Sequence, residues 1–136
     1  MQTASVVTWL RLARVHQKVE RAAMEQLRPS GLTLPQFDIL AHVKWAPGVS
    51  QQELADARLT TKGNLSQLLD NMEGCGLIDR VRDGRSKRVF LTSRGTALLE
   101  SVLPEHEALV AQCFCSLPAA ERDTFRSLLR RLDHAL

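Results

Sequence analysis

Short polar residues cluster in one stretch with a helical pattern, and their side chains are suited to reading base edges. The set comprises Thr61, Lys62, Asn64, Ser66 and Gln67. Such side chains hydrogen-bond to base edges, and an α-helix fits the roughly 12 Å wide major groove of duplex DNA. We therefore predict that this stretch contacts double-stranded DNA as a helix.

Basic residues dominate the segment that follows. Between positions 80 and 94 the cations are opposed only by Asp83: Arg80, Arg82, Arg85, Lys87, Arg88 and Arg94. A basic hairpin can lie along phosphates or insert an arginine into the minor groove. We expect Arg80, Arg82, Lys87 and Arg88 to contact phosphates. Asp83 is expected to pair with Arg85 and orient its guanidinium; the alternative is a solvated ribbon whose charges protect a sheet edge.

Positioning these side chains requires a helix-turn-helix followed by a hairpin. Ser50 and Glu53 have the capping-box spacing that begins a short third helix. Thr60 or Thr61 caps the polar fourth helix, which Gly74-Cys75-Gly76 ends. The buried face of this helix is expected to carry a stripe of apolar residues: Leu65, Leu68, Leu69 and Met72.

The hairpin and the terminal helices follow from periodicity and breakers. Residues 78–82 and 88–92 are β-compatible, with residues 83–87 as the tip. Helical spacing predicts helices over residues 6–27 and from Thr33 to Ala46 before the hairpin. Two more helices come after it, and Pro104 should kink or divide the first of them. The sequence therefore predicts a mainly α fold with a small β-hairpin.

Composition indicates an ordinary globular domain. The 136 residues are 44% hydrophobic and 24% charged, with a net charge of +3. The longest uncharged stretch, residues 108–120, falls short of the roughly 18 apolar residues that a membrane span needs. Arg11, Arg14 and Lys18 interrupt the N-terminal stretch where a signal peptide would be apolar. We expect a cytoplasmic protein with no membrane contact.

Residues that would carry catalysis or bind metal lack the necessary spacing. Cys113 and Cys115 have no CxxC spacing and are expected to be small buried hydrophobes. The histidines form no metal-binding pair: His16, His42, His106 and His134. Phosphate-binding glycine loops, GxSxG turns and nucleophile–base pairs are missing from the sequence. The protein is expected to be no enzyme and to need no cofactor or metal.

Several short segments, in this order and spacing, resemble the MarR (multiple antibiotic resistance regulator) family of winged-helix transcription factors. The segments span residues 34–40, 50–55, 76–80, 83–86, 91–95 and 117–122. They read LPQFDIL, SQQELA, GLIDR, DGRS, LTSRG and LPAAER. The resemblance covers nearly the whole chain.

The resemblance implies a winged helix-turn-helix with long dimerisation helices. It implies one domain over residues 1–136, with a DNA-binding region at 33–94 and dimerisation helices at 1–30 and 96–136. Residues 61–74 match the recognition helix, and Asp83 and Arg85 match the wing-tip Asp-x-Arg. The expected function is that of a homodimeric, sequence-specific regulator, a repressor that binds an inverted-repeat operator. Gly63, Asn64 and Gln67 stand where many relatives carry hydroxyl residues and an arginine, so the operator cannot be copied from a relative.

Three further hypotheses concern ligands and alternative partners. Trp9, Phe37 and Trp45 either line a cavity for a small aromatic or lipophilic effector or pack in the core. Some members of the family that the chain resembles sense oxidants through a thiol. Cys75 is the candidate thiol for such sensing in this chain. The remaining alternative is a winged-helix protein-interaction module whose hairpin binds an acidic partner.

Overall fold

Local caps and helical periodicity organise residues 3–136, the part of the chain that the computed structural model describes, into six α-helices and one small sheet. The chain divides into two compact units. We call residues 24–104 the winged-helix unit, and residues 3–23 with 105–136 the terminal unit. This architecture confirms the predicted fold class. Within the described residues, no helix is both long enough and apolar enough to span a bilayer.

Turn-forming residues and caps set the bounds of the first two helices. Helix α1 spans Ala4–Leu27 and passes into a short 3-10 helix, Arg28–Ser30. Helix α2 spans Leu34–Trp45 and begins under a complete capping box. In that box Gln36 N donates to Thr33 Oγ1 at 3.3 Å, and Thr33 N donates to Gln36 Oε1 at 3.0 Å. Both helices were predicted.

The two helices of the helix-turn-helix start at the predicted caps. Helix α3 spans Gln51–Ala57, and Glu53 N donates to Ser50 Oγ at 3.0 Å. Helix α4 spans Lys62–Gly74, and Thr61 is the predicted threonine that caps it. The Ser50 capping box is only half formed, because the Glu53 side chain accepts no hydrogen bond from Ser50 N.

The turn between α3 and α4 depends on one unusual backbone conformation. Leu59 has a φ of 52°, which is uncommon for a residue with a side chain, and it is 95% exposed. Thr60 N donates to Ala55 O at 3.1 Å across this turn, as in a Schellman motif. This left-handed residue lets α4 start directly after α3.

The sheet has three antiparallel strands in the order β1-β3-β2. Strand β1 spans Val49–Ser50, β2 spans Ile78–Asp83 and β3 spans Ser86–Leu91. We call β2, β3 and their turn the wing. Strand β1 was not predicted, since two residues carry no alternation pattern and pairing with β3 alone defines them.

The wing turn is shorter than the predicted tip at residues 83–87. Asp83 pairs with Ser86, which leaves a two-residue turn of Gly84 and Arg85. Gly84 has a φ of 62°, and a positive φ at the first turn position suits the twist of a tight hairpin. The two strands therefore reach almost to Arg85.

The core of the winged-helix unit is formed by every element from the end of α1 to α5. Its fully buried members include Leu27, Leu40, Leu69 and Ile78. On α4, Leu65, Leu69 and Met72 are buried as predicted, while Leu68 is half-buried against the core. The amphipathic stripe of α4 thus fixes which of its side chains remain exposed.

The last two helices extend into the terminal unit. Helix α5 spans Ser93–Cys113 and is not divided at Pro104, because a proline removes one backbone bond while good helix formers follow it. Helix α6 spans Ala119–Ala135 and has no buried residue. Phe114 and Phe125 contact each other with ring centroids 6.5 Å apart.

Candidate nucleic-acid interface

A concave surface lies where α3, α4 and the wing turn approach one another. This cleft of about 340 Å³, which we call the wing cleft, is lined by Gln51, Gln52, Lys62, Leu65, Ser66, Arg85, Ser86 and Lys87. The charged groups in this lining are all cations. The lining is therefore suited to an anion that offers many hydrogen-bond acceptors, as a nucleic-acid backbone does.

The predicted residues of α4 are accessible, but they do not all lie in one place. Thr61, Lys62, Asn64 and Gln67 are exposed, and Ser66 is half-buried. Lys62 and Ser66 line the wing cleft, whereas Asn64 borders a separate depression beside the α3–α4 turn. The Thr61 hydroxyl accepts a hydrogen bond from the backbone N–H of Asn64 at 3.1 Å, so its structural task is to cap α4.

The cations at the wing tip have no ion-pair partner. Arg82, Arg85 and Lys87 are exposed and form no ion pair or side-chain hydrogen bond with any of residues 3–136. Arg85 and Lys87 line the wing cleft, and Arg82 does not. These free charges are available to an external anion.

The predicted pairing of Asp83 with Arg85 is wrong. Asp83 Oδ2 instead accepts from Arg88 Nε at 2.7 Å. Because Asp83 lies opposite Ser86, Arg88 is its diagonal neighbour on the same face of the sheet, while Arg85 is in the turn. The hydrogen bond to Asp83 raises the pKa of Arg88. Arg88 also donates to Gly48 O at 3.0 Å, so it joins the wing to the start of β1.

Arg80 was expected to contact phosphate, and the structure contradicts this. Its side chain is 8% exposed and forms ion pairs with Asp70 Oδ1 at 2.5 Å and Glu73 Oε1 at 3.1 Å. The hydrogen bond with Glu73 raises the pKa of Arg80, against the opposite effect of burial. The same bond lowers the pKa of Glu73. Arg80 shares a strand face with Arg82 but lies two residues further from the wing tip, where β2 meets α4.

Two glutamines of the wing cleft were not predicted as site residues from the sequence. Gln51 and Gln52 were interpreted only as the start of α3, yet both line the cleft. Gln51 Oε1 accepts from Arg80 Nη1 at 3.2 Å, and Gln52 Nε2 donates to Asp56 Oδ1 at 2.8 Å. The local sequence does not show whether a glutamine lies on an open surface or in a cleft, because the cleft forms only when the wing folds beside α3.

Two cysteines are exposed against expectation, and the tryptophans do not pack in the core. Cys113 and Cys115 are exposed rather than buried, since α5 ends at Cys113 and the chain turns there. Cys75, the candidate redox residue, is exposed at the C-terminal cap of α4. Trp9 and Trp45 are 63% and 76% exposed, so neither packs in a core. Phe37 is a core residue.

Within residues 3–136, no group of three or more His, Cys, Asp or Glu side chains is arranged to hold a metal ion. The chemistry available at the wing cleft is therefore that of amide, hydroxyl, ammonium and guanidinium donors.

Comparisons with known proteins point to one family. Residues 30–89 match the sequence profile of the MarR family. An uncharacterized HTH-type transcriptional regulator of Bacillus cereus is 35% identical over 112 residues, covering 82% of this chain and 76% of that protein.

Two solved structures share the fold of this chain. A MarR variant from Escherichia coli in complex with operator DNA has a TM-score of 0.84 and 27% identity, covering 94% of this chain and 95% of its own. CouR from Rhodococcus jostii bound to p-coumaroyl-CoA has a TM-score of 0.85 and 25% identity, with coverages of 97% and 95%.

Proposed function

The chain belongs to the MarR family of DNA-binding transcriptional regulators, and from this premise we propose a dimeric repressor that a small-molecule effector releases from its operator. The relatives and the fold are those of regulators and not of enzymes. The observation that carries the proposal is the wing cleft, where Lys62 and Ser66 lie beside Arg85 and Lys87. A helix and a basic hairpin arranged in this way can bind a groove and the adjacent backbone of one duplex.

The proposed contacts divide into base reading and phosphate binding. Base reading belongs to α4, which enters the major groove with its polar residues: Lys62, Asn64, Ser66 and Gln67. Phosphate or minor-groove contact belongs to the unpaired cations Arg82, Arg85 and Lys87. Thr61 supports the start of α4, and the Asp83–Arg88 pair keeps the wing in shape.

The proposal of a homodimer is supported by the apolar surface of the terminal unit. On α6, Leu128 and Leu132 are 52% and 50% exposed, and on α1 Trp9 and Leu10 are 63% and 47% exposed. Apolar side chains that recur on one helix face are typical of a surface that another copy covers. A two-fold dimer would present two α4 helices to half-sites about one helical turn, roughly 34–36 Å, apart.

Effector release would act through that spacing. CouR, whose fold this chain shares, binds p-coumaroyl-CoA. We propose a small aromatic or lipophilic effector for this chain. A ligand that favours a different spacing of the two α4 helices by a few kcal/mol is enough to empty the operator. Because a regulator must reach its operator DNA, we include a cytoplasmic location in the same proposal.

Selection of bound duplexes from a random DNA pool at about 150 mM salt tests the function. We expect an enriched inverted repeat. Arg85→Ala should weaken binding to that repeat and reduce the salt slope by about one per protomer, because one phosphate contact is lost. Asn64→Ala and Gln67→Ala should instead change the preferred sequence. Arg14→Ala removes the same charge from an exposed position of α1 and should leave affinity and slope unchanged.

Two outcomes would contradict the proposal. The absence of any enriched sequence, with only weak salt-sensitive binding, would favour the protein-interaction alternative. An enriched repeat bound equally by the Arg85→Ala variant would mean that the wing tip is not used for DNA.

A further inference from the structure

One buried guanidinium connects the wing to both helices of the helix-turn-helix. Arg80 on β2 donates to Asp70 and Glu73 of α4 and to Gln51 of α3. Its planar fork has donors enough for all three partners. The guanidinium therefore fixes the position of Gln51 relative to α4 and the wing.

The contact with Arg80 also fixes which end of the Gln51 amide is free to bind another group. Arginine donates hydrogen bonds and accepts none, so the atom 3.2 Å from Arg80 Nη1 must be the carbonyl oxygen of Gln51. The Gln51 NH₂ group then points away from Arg80. Among residues 3–136 it has no hydrogen-bond partner.

The surroundings of this free amide are suited to an anion. Gln51 lines the wing cleft with Lys62, Arg85 and Lys87, and no carboxylate is part of that lining. A phosphate oxygen held by these cations would be an acceptor for the amide N–H groups of Gln51. A neutral donor adds a directional hydrogen bond without releasing a counterion.

We propose that Gln51 donates an amide N–H to a phosphate oxygen of bound DNA, with Arg80 as the positioning residue that sets its orientation. This inference rests on the proposed DNA-binding function. It assigns Arg80 an indirect role in DNA recognition in place of the direct phosphate contact expected from its charge.

Gln17 provides a matched control outside the cleft. It is an exposed glutamine of α1 and does not line the wing cleft. Gln51→Met and Gln17→Met remove the same amide while keeping a similar side-chain length.

Affinity for the selected duplex at several salt concentrations tests the contact. Gln51→Met should weaken binding about tenfold or more per half-site, the usual effect of losing a hydrogen bond to a charged group. The salt slope should stay at the wild-type value, because no cation is lost. Gln17→Met should bind within about twofold of wild type, because no contact with DNA is proposed for α1.

Single methylphosphonate substitutions in the duplex then identify the phosphate. At one position per half-site, neutralising the phosphate should weaken the wild-type protein more than the Gln51→Met variant. A general loss of fold in the variant would reduce affinity at every position alike. The positional difference therefore separates a contact from a structural effect.

The positioning role of Arg80 requires a double-variant cycle. Arg80→Lys keeps the charge but not the three-way fork, so it should weaken DNA binding in the wild-type background and have much less effect when Gln51 is already methionine. Circular dichroism melts establish that each variant is folded. The Gln51 experiments need no substitution at Arg80, so they test the contact between Gln51 and DNA independently of the role of Arg80.

The results separate this inference from the function beneath it. A wild-type protein that selects no DNA sequence would overturn the proposed function. A wild-type protein that selects a repeat, with Gln51→Met and Gln17→Met binding equally well, would overturn the inference alone. Equal effects of Arg80→Lys in both backgrounds would overturn the positioning role of Arg80.

Discussion

The winged-helix unit and the terminal unit use apolar side chains in opposite ways. In the winged-helix unit, Leu27, Leu69, Met72 and Ile78 are completely buried. In the terminal unit, α6 has no buried residue, although its leucines and Phe125 recur at helical spacing. The first unit forms its core from its own sequence, and the second leaves an apolar helix face uncovered.

This difference assigns a separate task to each unit. Burying a leucine side chain stabilises a fold by about 1.5–3 kcal/mol, so the winged-helix unit has its own source of stability. An uncovered apolar face gains that free energy only when another surface covers it. The proposed DNA-contacting residues therefore lie on a self-sufficient scaffold, while the proposed dimer contact lies on the terminal unit.

The largest expected effect comes from charging the uncovered face of α6. Leu128→Glu with Leu132→Glu should convert the proposed dimer to a monomer, because each dimer would lose four leucine contacts and gain four carboxylates. At about 1 kcal/mol for each half-exposed leucine, the lost apolar burial alone is about 4 kcal/mol per dimer. Sedimentation equilibrium at micromolar concentration measures the change.

The opposite face of α6 offers the control for this experiment. Ser127 and His134 are exposed and lie about 180° from the leucine stripe on a helical wheel. Ser127→Glu with His134→Glu adds the same charge and should leave the dimer intact. If both double variants dissociate alike, net charge and not the apolar face governs assembly.

A smaller but still severe effect is expected where α5 meets the loop before β2. Gly95 is buried, and a Cβ at this position would lie 2.0 Å from the carbonyl oxygen of Leu77. Gly95→Ala should lower the free energy of unfolding by about 3 kcal/mol and the melting temperature by roughly 10 °C, because backbone must move. Thermal melts followed by circular dichroism provide the measurement.

Gly74 is the matched position with open space around it. It is the last residue of α4, and apart from its chain neighbours and the backbone of its own helix no atom lies within 4 Å of a Cβ placed there. Gly74→Ala should be neutral or up to about 1 kcal/mol more stable. Equal melting temperatures for the two variants would mean that the winged-helix unit is not tightly packed around Gly95.

The elements of the fold were predictable because their signals are local. Thr33, Ser50 and Thr61 each place a hydroxyl beside the first turn of the helix that they cap. Such caps act within a few residues, so the sequence alone is enough to locate them. Strand β1 escaped prediction because it exists only through its pairing with β3.

The site was predictable in composition but not in its pairings. Free cations at the wing tip followed from the density of arginine and lysine. Which arginine is free depends on the register that sets Asp83 against Ser86 and on the position of each arginine along β2, since Arg80 lies beside α4. Gln51 could be assigned to the site only from the structure, in which it contacts Arg80 and lines the wing cleft.

The smallest expected effect tests whether the Arg80 contacts also stabilise the winged-helix unit. The hydrogen bond from Arg80 lowers the pKa of Glu73 from its ordinary value of 4.5. A carboxyl whose pKa is lower in the folded state adds stability above its unfolded pKa and loses it as the pH falls through the folded value. Urea unfolding between about pH 6 and about pH 3.5 should therefore show a smaller acid-induced loss of unfolding free energy in Glu73→Gln than in the wild type.

Because Glu73 is exposed, solvent screens the Arg80–Glu73 pair and the difference should be modest. Glu107→Gln, at an exposed position with no ion pair to residues 3–136, should reproduce the wild-type profile. Identical profiles for all three proteins would mean that the Arg80–Glu73 pair orients side chains for DNA without adding to the stability of the unit.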